Sequence, residues 1–404
     1  MDWINSNSIN FSGCSRRYNY MKLHIIQGNM KKKIETAVRR VLFGVCYCYS
    51  TIAVPITYNR AYRNGELSYL SKKDFEIWKR SMLAMLKEHA STGYRFSVMQ
   101  TVYSFANSKI KVVRKSSPCA EENPIVVLCI KNDLKRIQML VDHYRNLGVE
   151  KFAFMDNGSD DGTFEWLMDQ SDIDLFRCYE PYRTAVKEGW INRIVSHYGF
   201  DRWYIVTDSD ELLVFQGMEE HSLSDLVKML IQKGYKRIEG LTLDFYTEGR
   251  LFGKSEDIRK DYKWFDSDSY KEVDAVAGTY KIKRFVGGPR YRLMNSNVPL
   301  SKYPLVYWEK GTISDNAHFQ YPHNLICMSP CLAGIMHFKF IDKDFDIYKK
   351  RAQKNSGFTR GVYYKGYMEF MKNQDNTSFI YEGSVEFVSS DVLKKIPFIR
   401  PVIF

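Results

Sequence analysis

Three carboxylates, at Asp208, Asp210 and Glu211, directly follow a short apolar run. The run, Trp203 to Thr207, is rich in aromatic and β-branched residues, which predicts a buried strand. Asp208 and Asp210 lie two residues apart, so an extended backbone points both side chains to the same side. Such a pair could share one hard divalent cation that carries phosphates. A solvated acidic turn is the alternative interpretation.

A second polar turn, Asp156 to Thr163, follows the predicted strand Phe152 to Met155. Its glycines permit a tight turn, and the Asp156 carboxylate could accept hydrogen bonds from a base or a ribose. A calcium-binding loop competes with this interpretation, but Met168 stands where the loop requires a bidentate glutamate. Ligands of open α/β sheets bind beyond the carboxyl ends of the strands, so Asp156 and Asp208 are expected in one crevice.

Strand-like and helix-like segments alternate through the middle of the chain. This alternation predicts an α/β fold, in which right-handed crossovers build a mostly parallel sheet with helices on both faces. The predicted strands are Ile125–Ile130, Phe152–Met155, Ile173–Cys178, Trp203–Thr207 and Ile238–Leu243. The predicted helices are Leu134–Leu147, Phe164–Met168, Val186–Tyr198 and Leu223–Ile231.

The charge of the chain is unevenly distributed. Of its 404 residues, those numbered 1–120 carry 20 Lys and Arg against 6 Asp and Glu, whereas the whole chain has a net charge of +12. The basic excess therefore belongs to residues 1–120, which suits a peripheral contact with an anionic membrane. The nearly neutral remainder argues against a groove that follows a nucleic-acid backbone.

Residues 1–120 are predicted to form a basic, mainly helical N-terminal segment. Ser71 begins a Ser-x-x-acid motif that opens a helix, and Phe75, Trp78 and Met82 recur at helical spacing. The uncharged stretch Val41 to Asn59 contains tyrosines and a proline, which favours a helix packed on the protein or lying at a membrane surface. A membrane span and a cleaved signal peptide are the alternatives for this stretch.

Several motifs in order resemble the family-two glycosyltransferases of the GT-A fold. These are the strand Ile125–Ile130 leading to Asp133, the turn Asp156–Thr163 and the pair Asp208-x-Asp210. Further segments look like a bacterial branch associated with envelope polysaccharides, namely Leu243–Tyr246, Trp264–Asp266, Gly287–Arg292, Leu300–Leu305 and His337–Phe340. The resemblance implies a GT-A-like domain over residues 121–390, followed by a C-terminal tail over 391–404.

The resemblance implies a metal-dependent glycosyltransferase that moves a sugar from a nucleotide-sugar donor to a glycan or lipid-linked acceptor. It further implies inversion at the sugar, a role in bacterial surface polysaccharide synthesis, and a cytoplasmic location, including the cytoplasmic face of the inner membrane. The alternatives are a nucleotidyltransferase and a non-catalytic carbohydrate-binding or membrane-associated protein on the same fold. A nucleotidyltransferase typically carries a glycine-rich loop after its first strand, and Lys131 to Leu134 contains no glycine.

Donor-binding residues follow from the same resemblance. Asp133 and Asp156 are expected near the nucleoside, and Asp208 near the diphosphate. Arg290, Arg292 and Lys339 are expected to hold donor phosphates, because guanidinium groups pair with phosphates bidentately and an ammonium acts as a point charge. A solvated basic face is the alternative for each of these three cations.

The metal ligands implied by the resemblance are Asp208, Asp210 and His337, around Mn²⁺ or Mg²⁺ that bridges the diphosphate. His318 is the second choice for the histidine ligand. For either histidine, an ordinary core position is the competing interpretation.

An inverting transfer also needs a carboxylate that takes the proton of the acceptor hydroxyl. Asp244, at the end of the next predicted strand, is the first candidate, with Glu248 second and Glu211 third. A helix cap or a buried salt bridge would explain Asp244 equally well.

Overall fold

The computed structural model describes residues 52, 54–89, 94–116, 120, 123–249, 255–353, 362–372 and 378–404. Contacts group residues 54–404 into one unit, and the boundary predicted near residue 120 falls inside it. Most of the uncharged stretch Val41 to Asn59 lies outside the described residues.

The helices are labelled in chain order, beginning at the helix that Ser71 caps by accepting a hydrogen bond from the Asp74 amide. Residues 54–63, which precede it, are also helical. The labelled helices are α1 (Lys72–Glu88), α2 (Arg95–Asn107), α3 (Leu134–Asn146), α4 (Thr163–Met168), α5 (Thr184–Val195), α6 (Leu223–Gln232), α7 (Ile258–Asp261), α8 (Gly288–Met294), α9 (Asp342–Gln353) and α10 (Val362–Lys372).

The strands group into two main sheets and three short pairs. In chain order they are β1 (Lys111–Arg114), β2 (Ile125–Ile130), β3 (Lys151–Asp156), β4 (Ile173–Arg177), β5 (Arg202–Val206), β6 (Glu211–Phe215), β7 (Glu239–Asp244), β8 (Trp264–Asp266), β9 (Tyr270–Ala277), β10 (Tyr280–Gly287), β11 (Ser301–Lys302), β12 (Leu305–Trp308), β13 (Ile313–Ser314), β14 (Gln320–Tyr321), β15 (Cys331–His337) and β16 (Ser384–Glu386).

The six-stranded sheet has the order β1-β4-β3-β2-β5-β12. Its four central strands are parallel, whereas β1 and β12 pair antiparallel at the edges. The predicted fold class is therefore confirmed: an α/β fold with a mostly parallel sheet. Because β2, β3 and β5 are parallel, their carboxyl ends meet at one edge, and the segments that follow them begin there.

Helices cover both faces of this sheet, as alternate residues of β2 show. Val126 and Leu128 pack into one apolar cluster, which contains residues of α3 and α6. Ile125 and Val127 pack into the opposite cluster, which contains residues of α1, α2 and α5. Both faces are buried, which explains why β2 is a continuous apolar run rather than an alternating one.

Close contact between α2 and α5 depends on Gly189. A Cβ atom at this position would lie 2.7 Å from the Thr101 carbonyl oxygen and within 2.5 Å of the Ser104 Cβ, so a larger residue would push the helices apart. The Thr101 hydroxyl also donates a hydrogen bond to the Ala185 carbonyl at 2.9 Å. These contacts hold α5, and with it Lys187, against the sheet.

The second sheet has the order β11-β7-β15-β6. The sequence predicts β7 as a further strand of the parallel sheet, and this placement is wrong: β7 pairs parallel with β15 and antiparallel with β11. Strand and helix alternation identifies strands but carries no information on which sheet each one joins. The short pairs are β9 with β10, β13 with β14, and β8 with β16.

Among the residues that the structure describes, no helix combines the length and apolar character needed to cross a bilayer.

The packing of α1 on the sheet yields a stability prediction. Trp78 is buried, and its ring stacks on Phe105 of α2 at a centroid distance of 5.1 Å. We expect Trp78→Ala to lower the free energy of unfolding by about 3–5 kcal/mol, because it leaves a large cavity. Urea unfolding measures this change. Lys73→Ala, at an exposed position of the same helix, is the control, and equal stability of the two variants would contradict integral packing of α1.

Candidate active site

His337 occupies the centre of the candidate site because of its position in the second sheet. It is the last residue of β15, and the pairing register places it opposite Glu211 of β6 on one side and Asp244 of β7 on the other. The His337 Nδ1–H donates to the Asp244 carboxylate at 2.6 Å, while Nε2 lies 3.3 Å from the Asp210 carboxylate. One imidazole thus joins an acid that directly precedes β6 to the acid that ends β7.

Asp210, Glu211 and His337 form a group whose ligand atoms all lie within 4.8 Å of one another. Burial lowers the pKa of His337, but Asp210 and Asp244 outweigh it and raise this pKa above its ordinary value. Burial raises the pKa of Asp210, yet His337 and Arg136 hold it well below the ordinary range. The carboxylates suit Mn²⁺ and Mg²⁺, and the imidazole favours Mn²⁺, because Mg²⁺ prefers an all-oxygen set.

Asp208 faces two lysines rather than the histidine. Its carboxylate accepts hydrogen bonds from Lys187 Nζ at 2.8 Å and from Lys302 Nζ at 3.2 Å. Burial raises the pKa of Asp208, but Lys187 and Lys302 more than compensate and keep it ionised. Lys302 also donates to both oxygens of Glu211, at 2.6 and 2.7 Å. The structure therefore places Glu211, rather than Asp208, within the metal-competent group.

Asp244 is buried and engaged on both sides. Besides His337, its carboxylate accepts a hydrogen bond from Arg290 Nε at 2.6 Å. Burial raises the pKa of Asp244, but Arg290 and His337 lower it to about 2. A carboxylate that fixes the Nδ1 tautomer of a metal-ligating histidine is a common outer-shell arrangement, and it leaves Nε2 available for an ion. These contacts favour a positioning role for Asp244 over proton transfer.

Asp133 follows β2, and Asp156 is the last residue of the neighbouring parallel strand β3. The fully buried carboxylate of Asp156 accepts hydrogen bonds from the Gly158 and Ser159 amides at 3.0 and 3.1 Å. It also forms an ion pair with Arg177, whose Nε lies 3.1 Å away. Asp133, beyond β2, accepts hydrogen bonds from Ser209 and Lys343. The Ser209 contact ties Asp133 to the loop that carries Asp208 and Asp210.

The three predicted phosphate-binding cations have different surroundings. Arg290 lines the cleft but is paired with Asp244, and Lys339 lines the cleft with its ammonium 5.5 Å from the Tyr348 ring centre. Arg292 instead donates to both oxygens of Asp266 at 3.1 Å. Lys339 is thus the best placed of the three to meet an anionic ligand in the cleft.

Two secondary candidates lie apart from the central group. Glu248 is exposed, and it is absent from the residues that line the cleft. His318 lines the cleft, but its Nδ1–H donates to the Ser301 carbonyl at 3.0 Å, and burial together with Lys302 lowers its pKa to about 4. His318 is therefore neutral at physiological pH and does not join the acids around His337.

A cleft of about 550 Å³ opens in front of these residues, a volume suited to a small-molecule ligand. Its charged wall contains Lys187, Asp208, Asp210, Glu211 and Lys302. Tyrosines make up much of the remaining wall, namely Tyr94, Tyr182, Tyr303, Tyr363, Tyr364 and Tyr367.

Lys187 and Lys302 are site residues that the sequence analysis did not identify. Lys302 lies inside Leu300–Leu305, one of the segments that carry the family resemblance. The resemblance therefore marks this segment but assigns no role to Lys302. Lys187 and Glu188 are buried charges next to the apolar run of α5, a pattern that points to a paired ionic site. Asp208, the partner that Lys187 and Lys302 share, becomes apparent only in the folded chain.

Comparisons with known proteins identify no family. No family model matches the sequence, and no curated protein matches it. Among solved structures, the chain is similar to the mannosyltransferase PcManGT from Pyrobaculum calidifontis in complex with GDP-Man and Mn²⁺ (TM-score 0.24, 14% identity, covering 40% of this chain and 47% of that one). The chain therefore spans about half the length of that enzyme.

Other structural matches are equally distant. They include S. aureus TarS (TM-score 0.28, 11% identity, covering 62% of this chain and 72% of that one) and a UDP-glucose pyrophosphorylase complexed with UDP-glucose (TM-score 0.25, 10% identity, covering 62% and 100%). Similarities at this level carry no argument about activity, which must rest on the geometry of the site.

The ion pair of Asp244 predicts a pH-dependent contribution to stability. Because its pKa of about 2 lies below the ordinary value of about 3.9, the carboxylate stabilises the fold above that ordinary value, and the stabilisation fades as the pH falls through about 2. We expect Asp244→Asn to cost at least about 2 kcal/mol near pH 6 and roughly 1 kcal/mol less near pH 3.

Urea unfolding at the two pH values measures this difference. Asp274→Asn removes an exposed carboxylate that pairs with Lys283, and it serves as the control with little expected change. A penalty for Asp244→Asn that is independent of pH would contradict the ion pair.

Proposed function

We propose that the protein is a metal-dependent glycosyltransferase that uses a nucleotide-sugar donor. The observation that carries this proposal is the convergence of Asp210, Glu211 and His337 at the wall of a cleft that also presents Lys187 and Lys302. Metal-ligating acids beside lysines suit a ligand that carries several negative charges on adjacent phosphates.

Asp210 and His337 would hold Mn²⁺ or Mg²⁺, with Asp208 or Glu211 completing the protein ligands. When bound, such an ion neutralises the charge that develops on a diphosphate leaving group. Lys187 and Lys302 already contact Asp208, and they are close enough to the acids to exchange a carboxylate partner for a phosphate oxygen. Lys339 extends the cationic wall of the cleft.

Asp133 and Asp156 remain the proposed contacts to the nucleoside, at the same sheet edge as the metal-ligating loop. This assignment is supported by the positions of Asp133 and Asp156 at the carboxyl ends of β2 and β3, where open α/β sheets bind nucleotides. Asp133 also contacts Ser209 between the two metal-site aspartates, so nucleoside binding and the metal loop would be coupled.

For the catalytic base of an inverting transfer, the geometry favours Glu211 over Asp244 and Glu248, in a bound state where Asp208 rather than Glu211 completes the metal ligands. Of these three carboxylates, Glu211 alone is on the wall of the cleft. Asp244 is held by Arg290 and His337, and we propose that it positions His337. Lys302 donates hydrogen bonds to both oxygens of Glu211, so proton transfer to Glu211 would require this pair to loosen.

The tyrosine-rich wall is the proposed acceptor side of the cleft. A tyrosine offers an apolar ring together with a hydroxyl, a combination that suits the mixed polar and apolar surface of a glycan or a lipid-linked sugar. The sequence resemblance supports surface polysaccharide synthesis on the cytoplasmic side of the bacterial inner membrane as the setting. The basic charge of residues 1–120 supports a peripheral membrane contact.

The proposal predicts the loss of activity on removal of one metal ligand. We expect Asp210→Asn and His337→Gln each to lower Mn²⁺-dependent turnover of a sugar nucleotide by about 100-fold or more, because each removes a ligand of the ion. Release of the corresponding nucleoside diphosphate (UDP, GDP or dTDP) from a panel of UDP-, GDP- and dTDP-sugars measures turnover. Asp169→Asn, which removes an exposed acid outside the cleft, should retain parental activity.

The same panel separates the alternatives. Pyrophosphate-dependent release of a nucleoside triphosphate would identify a nucleotidyltransferase. Binding of a sugar nucleotide without turnover in the presence of acceptors would identify a binding protein. Metal-dependent turnover that is unchanged in both Asp210→Asn and His337→Gln would contradict the proposed site.

A further inference from the structure

A second group of metal-competent side chains lies outside the candidate active site. His89 caps the end of α1, Asp315 follows β13, and His323 begins a short 3₁₀ turn after β14. Asp315 and His323 are 8 residues apart in the chain, whereas His89 lies 226 residues before Asp315, yet the three side chains meet in the interior. Their fractional exposures are 4%, 3% and 0%, so the cluster is shielded from bulk water.

The geometry of the cluster centres on one carboxylate oxygen. Oδ2 of Asp315 lies 2.9 Å from Nε2 of His89 and 2.8 Å from Nε2 of His323. The three ligand atoms lie within 4.8 Å of one another. Around a tetrahedral zinc ion, neighbouring ligand atoms are separated by about 3.3 Å, so movements of roughly half an ångström would open the cluster for an ion.

Glu88 supplies an outer carboxylate to this cluster. Its Oε1 accepts a hydrogen bond from Nδ1–H of His323 at 2.5 Å. In a metal-bound form this contact would keep the proton of His323 on Nδ1 and leave Nε2 available to coordinate an ion beside Oδ2 of Asp315. Histidine ligands of metals commonly donate their second N–H to a carboxylate in this way.

Charge balance leads to the same conclusion. Glu88 and Asp315 place two negative charges at a buried or partly buried location, which a protonated His323 can offset only in part. One divalent cation cancels both charges. Two imidazole nitrogens with one carboxylate are a donor set typical of zinc and other first-row transition ions rather than of Ca²⁺ or Mg²⁺.

The backbone around the cluster leaves little room for larger groups. Gly278, in the turn between β9 and β10, has a φ of +57°, and a Cβ atom there would overlap Glu88 and His323. His89 and Asp315 also belong to the wall of the large cleft. An ion held by this cluster would therefore tie the end of α1 to the β13–β14 segment and stiffen that wall.

We propose that His89, Asp315 and His323 form a second metal site, which binds one divalent first-row transition ion such as Zn²⁺, with Glu88 orienting His323. This site shares no residue with the group of Asp210, Glu211 and His337, so it is independent of the proposed glycosyltransferase activity.

Zinc binding to the full-length, tag-free protein tests this proposal. After chelator treatment and equilibration with Zn²⁺, bound zinc is counted per chain following gel filtration. We expect the His89→Gln/His323→Gln double variant to bind one zinc ion fewer than the parent, with the affinity of this site reduced by at least about 100-fold. His221→Gln removes a histidine that stacks on Phe404 outside both groups, and it should keep the parental zinc content.

A second variant keeps the proposal testable if the first variant does not fold. In Asp210→Asn/His337→Gln, where the candidate active site is disabled, one zinc ion should still bind and should raise the melting temperature. The proposal would be overturned if His89→Gln/His323→Gln bound as much zinc per chain as the parent. The absence of bound zinc from Asp210→Asn/His337→Gln, with folding verified by circular dichroism, would overturn it as well.

Discussion

The candidate active site depends on the pairing of β15 between β6 and β7. This register puts His337 beside Glu211 in one neighbouring strand and beside Asp244 in the other, so a single imidazole lies among acids from both. Backbone hydrogen bonds of the sheet, rather than loop conformation, hold these groups in place. A shift of one residue in β15 would turn His337 to the opposite face and dismantle the group.

Buried charge is the second constraint, and the site satisfies it by pairing every acid with a cation. Asp208 pairs with Lys187 and Lys302, Asp244 pairs with Arg290, and Asp210 faces His337. Such pairing keeps the carboxylates ionised in a low-dielectric environment. It also provides cations that an incoming anionic ligand can recruit, which links the electrostatics of the ligand-free site to recognition of a phosphorylated donor.

Much of the fold could be predicted from the sequence, because it follows from local patterns. Local residue patterns are enough to predict the apolar run of β2, the helix after Asp133 and the strand before Asp208. The second sheet could not be predicted, since pairing of β7 with β15 joins segments that lie about 90 residues apart and depends on long-range packing.

The candidate site also combines features that the sequence predicts with features that it does not. Asp210 and His337, predicted together through the family resemblance, do meet. Asp208 pairs with Lys187 and Lys302, and Asp244 pairs with Arg290. Both arrangements depend on side chains that distant elements bring together. No spacing rule reports such contacts, and the same holds for the cluster of His89 and His323.

The most direct test of the account is the position of a bound ion. Crystals grown with Mn²⁺ and a nucleoside diphosphate would give an anomalous difference map that locates manganese. The account predicts a peak between the Asp210 carboxylate and Nε2 of His337, with the diphosphate on its cleft side. Manganese bound elsewhere, with Asp210 and His337 still in contact with each other, would contradict it.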